Sequence, residues 1–462
     1  MSVDYIRLAA QDVPVLDHVN VLVVGGGPAG IGAAIGAAKA GAGKVALIER
    51  YGYLGGMATG GQVILIPSLS YENEIVLKGV IYEAVERLRK KPNGFYGPGT
   101  DITGSQDEKL ARYWSNYHNM VWHDTVCYGG FTDPDIFKIV LQEMTDEAGI
   151  EYYFHCWESE AIVEDDCVKG VCFVSKQGKC AILANVVIDC TGDADVCAGA
   201  GAKYELNPVG TDRNSAMGLV YRLGGTNFDE FAEYKRANPG DWAKHIRVLN
   251  ERFGYAMQIF PTGNQAVVWM DNWITNGSCI EIKSLGDAGI KVLRSIYPII
   301  DYLHEQQIPG LKDCWFYDVA GQTGTRGSRR ILAKTRLEMS DISNAKKFDD
   351  AIAVFPATNH VTTDGGVQDC TKLKPQQFPL STLIPIELEN IIVAGRAFSS
   401  DAAANNLYNL LPHCFAMGQA AGVLAACAIK SGTAPSAVPY RNVQRELINQ
   451  NVYLPKEIVE SL

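Results

Sequence analysis

Residues 21–38, VLVVGGGPAGIGAAIGAA, carry no charge, a run long enough to raise the question of a membrane span. Its six glycines and one proline argue otherwise, because glycine is costly inside a helix and Pro28 would break one in the middle. The stretch divides more naturally into a buried strand, Val21–Val24, a glycine turn, and a helix from about Pro28 to Ala40. The turn has the spacing Gly25-x-Gly27-x-x-Gly30. The first glycine permits a tight turn, the second lets backbone approach a pyrophosphate, and the third lets the helix pack closely on the strand. Pro28 and Ala29 open the helix, whose free N–H groups stabilise phosphate charge.

Glycine turns are common, and the context makes this one specific. Lys44–Ile48 reads as a second buried strand, followed by Glu49 at close to the roughly 20-residue spacing of an acid that bonds a ribose hydroxyl. An ordinary βαβ unit with an exposed Glu49 is the competing reading, and the combination favours a dinucleotide site. An NAD domain would usually proceed to another helix and strand. Here the chain runs on through Arg50, Gly55, Gly56, Met57, Thr59, Gly60 and Gly61, a glycine-dense loop whose amides can lie against a flat ring system.

With these residues the chain resembles the FAD-dependent oxidoreductases of the fumarate-reductase and glutathione-reductase-like superfamily. The resemblance implies that ERYGYLGGMAT, residues 49–59, holds the AMP ribose on Glu49 and places the glycine loop near the flavin. Two later segments carry it further. VVIDCTGDAD, residues 186–195 with Thr191, Gly192 and Asp193, is similar to the family's strand beside the adenosine half of FAD. NIIVAGR, residues 390–396 with Gly395 and Arg396, followed by Asp401 and by GQAAG at 418–422, is similar to its C-terminal flavin motif. In that motif the acid, Asp401 here, bonds the ribityl chain, and a helix expected to begin near Gly418 aims its N-terminus at the flavin, where it stabilises the anionic reduced ring. The loop at 54–61 has neither His nor Cys, so the expected FAD is non-covalent.

The expected architecture is α/β. It comprises a Rossmann-like FAD-binding domain with a parallel central sheet and an inserted antiparallel layer, plus a discontinuous α+β substrate domain. The boundaries are 1–204 for the first FAD-binding part, with 71–130 a cap insertion, then 205–385 for the substrate domain and 386–462 for the second FAD-binding part. Along the way a helix is expected at 76–89. Asp133 and Pro134 start another that runs to about Ala148. Strands occupy 150–188 with turns at 165–166 and 177–178, another strand covers 265–269, and a long helix covers 285–306. No second GxGxxG follows a strand and no CxxC occurs, so a nicotinamide donor would visit only transiently.

Composition adds exclusions. A net charge of −11 argues against binding nucleic acid or an anionic membrane, which needs clustered Lys and Arg. Twelve scattered cysteines without metal-ligand spacing, and no signal-like start, predict reduced thiols, a cytoplasmic setting and no metal site. The partner is a small-molecule substrate, with a homo-oligomer suggested by the family.

Three places supply candidate chemistry. Arg326, Arg329 and Arg330 crowd into GTRGSRRI, residues 324–331, which is similar to the family segment G-x-R-x-x-R-x-I. Guanidinium forks suit a carboxylate or an enolate-like oxygen. They equally suit carboxylates of the fold or FAD phosphate, and Arg326 is the favoured substrate contact. His413, just before Gly418, and His360 in the substrate domain are candidates for proton transfer near neutral pH, with His118 and His123 weaker ones. The family subgroup often has an arginine where this chain has Asn409. The expected reaction is hydride transfer between flavin and a small polar metabolite bearing a carboxylate or hydroxyl. A flavin monooxygenase or an FAD-bearing electron-transfer subunit is the alternative.

Overall fold

The charge-free run becomes strand β1 (Val15–Val24) and helix α1 (Pro28–Lys39), followed by β2 (Val45–Glu49). The computed structural model describes residues 6, 10–210, 215–356, 361–363, 366–368 and 373–462, and His360 lies outside them. Four consecutive residues, Val21 to Val24, have no exposure at all, as expected of a central parallel strand covered on both faces.

Next in the chain come α2 (Val80–Arg89), α3 (Pro134–Glu147), β3 (Glu151–Phe154), β4 (Trp157–Glu164), β5 (Cys167–Ser175) and β6 (Gly178–Asp189). Asp133 caps α3 by accepting from the Asp135 and Ile136 N–H groups. The first sheet has the order β3-β2-β1-β6-β5-β4, with β11 (Ile391–Val393) also on β6. β3, β2, β1, β6 and β11 pair in parallel, and β4, β5 and β6 form an antiparallel meander. The sheet thus combines a parallel core with an antiparallel layer as expected, but β3, expected in the antiparallel layer with the other strands of 150–188, instead extends the parallel core beside β2. The helix expected from residue 76 begins only at Val80, because Gly79 turns at φ +77° and the Val80 N–H donates to Gln419 Oε1 at 2.9 Å.

A second, antiparallel sheet has the order β8-β9-β7-β10, built from β7 (Tyr221–Gly224), β8 (Ala256–Pro261), β9 (Val267–Trp273) and β10 (Trp315–Val319). α4 (Ile282–Glu305) packs over it and has its own hydrophobic core. Ile64, Trp114, Tyr117, Met120, Val126 and Phe131 join that core, whereas α2 joins the core of the first sheet. The expected cap insertion is therefore shared between the two cores.

The chain ends its return to the first sheet with α5 (Ala402–Tyr408) and α6 (Leu411–Ser431). α6 starts at Leu411, with Pro412 in its first turn, and the expected start near Gly418 is corrected by nearly two turns. Gly418 is instead a packing residue: a Cβ there would lie 1.9 Å from the Ala29 carbonyl oxygen. Gly32 and Gly36 of α1 and Gly422 of α6 are equally tight against the facing backbone. Glycine in these helices is thus the condition for α1 and α6 to cross backbone to backbone.

Candidate cofactor and substrate site

A cavity of about 590 Å³ runs between the two cores. At one end it meets the β1–α1 turn. Gly25 turns at φ +101°, and a Cβ on it would lie 2.4 Å from the Cys190 carbonyl oxygen. A Cβ on Gly30 would lie 1.8 Å from the Gly25 carbonyl oxygen, so Gly30 serves packing and is off the wall. Gly27 differs: it lines the cavity, and a Cβ there would meet nothing within 4 Å. Among the described residues no side chain caps α1, so the amides of its first turn are free for a ligand. Pro28 and Ala29 share that wall.

Glu49 is buried at the end of β2. Its Oε2 accepts from the Gly26 N–H at 2.6 Å and its Oε1 from the Tyr51 N–H at 2.9 Å. Burial pushes its pKa up against those bonds, and each oxygen keeps lone-pair capacity for a hydroxyl donor. Next to it the Arg50 guanidinium lies 5.4 Å from the Tyr51 ring and 5.1 Å from the Trp157 ring. Glu158, also on the wall, is pushed up to about 7 by burial.

Thr191, Gly192 and Asp193 continue the wall from the end of β6. Gly192 turns at φ +87°, and a Cβ there would press on the Arg396 guanidinium carbon at 2.6 Å. Arg396 Nη2 donates to Asp193 Oδ2 at 2.9 Å and to Thr325 Oγ1 at 2.7 Å. Its Nε is buried with no partner among the described residues. Gly395 and Arg396 both line the cavity.

Gly56, Met57 and the start of α6, with Leu410, Leu411 and Cys414, also line the cavity, and Gly56 lies against the β1–α1 turn, where a Cβ on it would be 3.0 Å from the Gly27 Cα. Among the described residues no side chain caps α6, so it presents a second set of free amides. Gly55 and Thr59 stand behind the wall. The Gly55 N–H donates to the Gly26 carbonyl at 2.8 Å and the Thr59 hydroxyl to the Leu54 carbonyl at 2.6 Å, so both shape the loop.

Of the three clustered arginines only Arg326 lines the cavity. Asn406 steers it, accepting from Nε at 3.0 Å on its side chain and from Nη2 at 2.9 Å on its carbonyl. Asn409 shares that wall. Arg329 pairs with Asp195 at 2.7 Å, and buried Arg330 with Glu205 at 2.9 Å.

Three expected site residues lie elsewhere. The Asp401 carboxylate caps α5, accepting from the Ala404 N–H at 2.7 Å and the Met339 N–H at 2.8 Å. It is off the wall, where the expected ribityl contact would need it. Gly418 is buried in the crossing with α1. His413 is buried off the wall, 4.3 Å from the Phe355 ring centroid and 5.2 Å from that of Tyr408. Burial pushes its pKa down to about 3, leaving a neutral, enclosed imidazole whose Nδ1 has no partner among the described residues. The two weaker histidine candidates separate, His118 being on the wall and His123 exposed.

Beyond Met57 the cavity opens onto the second sheet. Trp269, Asp271 and Trp273, which share one face of β9, line it together with the intervening Asn272. Phe260 of β8 stands directly across from Trp269 in register, and Val63, Leu65 and Val220 extend the apolar surface. The alternation Trp269-x-Asp271-x-Trp273 was the available sequence signal for this compartment; without the partner strand it does not show which face meets a cavity.

The family model described as FAD dependent oxidoreductase matches residues 20–447. No curated protein matches the chain. Similar solved structures include a geranylgeranyl bacteriochlorophyll reductase-like protein from Thermoplasma acidophilum, 16% identical with a TM-score of 0.46 over 96% of this chain and 90% of that one. The p-nitrophenol 4-monooxygenase of Pseudomonas putida DLL-E4 is 12% identical, with a TM-score of 0.45 over 96% and 92%. A myxobacterial chondrochloren halogenase is 11% identical, with a TM-score of 0.46 over 93% and 78%.

Proposed function

The chain belongs to the FAD-dependent oxidoreductase family, and on that premise we propose that it oxygenates a flat, apolar substrate held against the second sheet. The observation that carries this reading is the aromatic face made by Phe260, Trp269 and Trp273. A small hydroxy acid would leave the partly exposed rings of Phe260 and Trp273 in contact with water, whereas an aromatic body covers them at about 25 cal/mol per Å² of apolar surface.

The residues present fit FAD. Gly27 leaves room where a side chain would intrude, and the Arg396 Nε is an unpaired buried donor on the wall. Gly27 and the first turn of α1 would take the pyrophosphate, Glu49 the ribose, and Gly56, Met57 and the first turn of α6 the ring. When bound, FAD supplies two-electron chemistry and, once reduced, the capacity to activate dioxygen. The chain's own part is placement and dryness: the sheet face orients the substrate, and Arg326, steered by Asn406, holds positive charge on the same wall. The balance is one substrate C–H, dioxygen, two electrons and two protons giving C–OH and water, with the electrons drawn from an external reductant.

A second reading, hydride transfer, is favoured by His118, which lies on the wall with its ring 4.9 Å from that of Phe260 and could take the proton. The two part under heavy-isotope dioxygen, with reduced holoenzyme given aromatic probes and short hydroxy acids. An aromatic product carrying the label is expected. An oxidised aromatic without label selects hydride transfer, and turnover of the hydroxy acids alone ends the aromatic reading.

A further inference from the structure

A helix on a water-facing surface turns its polar residues outward, and α4 does not. Its inner face is conventional, with Val292, Ile296 and Ile299 buried in the second core. On the outer face Ile290, Leu293 and Tyr297 are 46%, 50% and 64% exposed. Positions three and four apart on a helix are neighbours, so these three side chains form one stripe. The Phe316 ring of β10 lies 6.2 Å from that of Tyr297 and continues it. Scattered apolar residues on a surface need no explanation, whereas a contiguous set rimmed by charge marks a contact site.

Charge along the stripe identifies the occupant. Lys283 is paired with Asp287 at 3.2 Å, and Lys291 donates to the Gly254 carbonyl at 2.7 Å. Arg294 and Asp301 are exposed and meet no opposite charge among the described residues. Seven residues separate them, about two turns, so they lie on one line along the helix roughly 10 Å apart, with Tyr297 between them. We propose that a second copy of this chain covers the stripe, its α4 running antiparallel to this one about a twofold axis at Tyr297. That symmetry sets Arg294 of each copy against Asp301 of the other and closes Leu293 and Tyr297 of both copies between the two ion pairs. A twofold interface must be self-complementary, and a face with a free cation on one side of its centre and a free anion on the other is so only when antiparallel. Parallel helices would set Arg294 beside Arg294.

Sedimentation velocity of the FAD-loaded full chain tests this. Wild-type protein is expected to be dimeric at concentrations on the order of 10 μM. Arg294→Glu and Asp301→Arg each set like charges face to face on both sides of the axis and should weaken association at least about tenfold. The double variant, Arg294→Glu with Asp301→Arg, exchanges the two signs and restores the pairing in reverse. Its association should return to within about threefold of wild type. Melting temperature and FAD content should stay at wild-type values in all three variants, because both side chains are exposed. A monomeric wild type overturns the proposal. Single variants that associate as wild type does, or a double variant as weak as the singles, also overturn it.

Discussion

His413 lies in the first turn of α6 with its ring against Phe355 and Tyr408, off the cavity wall. Its folded pKa, pushed down to about 3 by burial, sits far below the roughly 6.5 of an exposed imidazole. Below that value the unfolded chain takes up a proton that the folded one refuses, so stability falls as pH falls. From pH 7 to pH 5 this one group should remove about 2 kcal/mol. Urea unfolding of wild type and His413→Leu across that range should show the shallower pH slope in the variant. Identical slopes would mean that the imidazole titrates normally in the fold. Asp401 teaches the same lesson about single residues. Its distance from NIIVAGR matched the acid of a flavin motif, yet two backbone N–H groups claim its carboxylate. An acid in the right stretch of chain can serve as a helix cap as readily as a ligand, and sequence spacing does not separate the two.

At the level of elements, the glycines of the opening run sort into two jobs that substitution can separate. Gly27→Ala adds a methyl group where, apart from its own chain neighbours, no described atom lies within 4 Å. Its apoprotein should melt within a degree or two of wild type, with FAD affinity lowered at least about tenfold because the methyl group occupies the pyrophosphate approach. Gly418→Ala drives a methyl group into the Ala29 carbonyl and should cost at least about 2 kcal/mol in denaturant unfolding. Similar melting of the two variants would contradict this division. β1, the glycine turn, α1 and the β4–β6 meander were legible in the sequence because local pattern decides them: a continuous apolar run, fixed glycine spacing, and alternation broken by turn residues. The start of α6 was legible in principle from Pro412, a favoured first-turn residue. Gly418 drew attention from it, because glycine at a helix crossing looks in sequence like glycine at a helix start.

For the whole molecule, the loop from Leu54 to Gly61 offers neither a thiol nor an imidazole for attachment, so acid precipitation should leave yellow FAD in the supernatant; colour retained by the pellet would show a covalent link. Among the described residues one helix, Leu411–Ser431, is long and apolar enough to cross a membrane, and it is the helix whose glycines admit α1. Its apolarity, like that of residues 21–38, is explained by contact within the fold. The eleven described cysteines are all free and nine of them are buried, in keeping with a role as small core residues. What the sequence determined by itself was the dinucleotide turn, its following acid and the α/β sheet, because these depend on backbone freedom and periodicity within a few dozen residues. Only the tertiary structure decided that Arg326 alone of three arginines faces the cavity, that His413 and Asp401 do not, and that Trp269 does. Those outcomes depend on which distant segment lies opposite each side chain, and that is set by packing of the two cores, not by any local pattern.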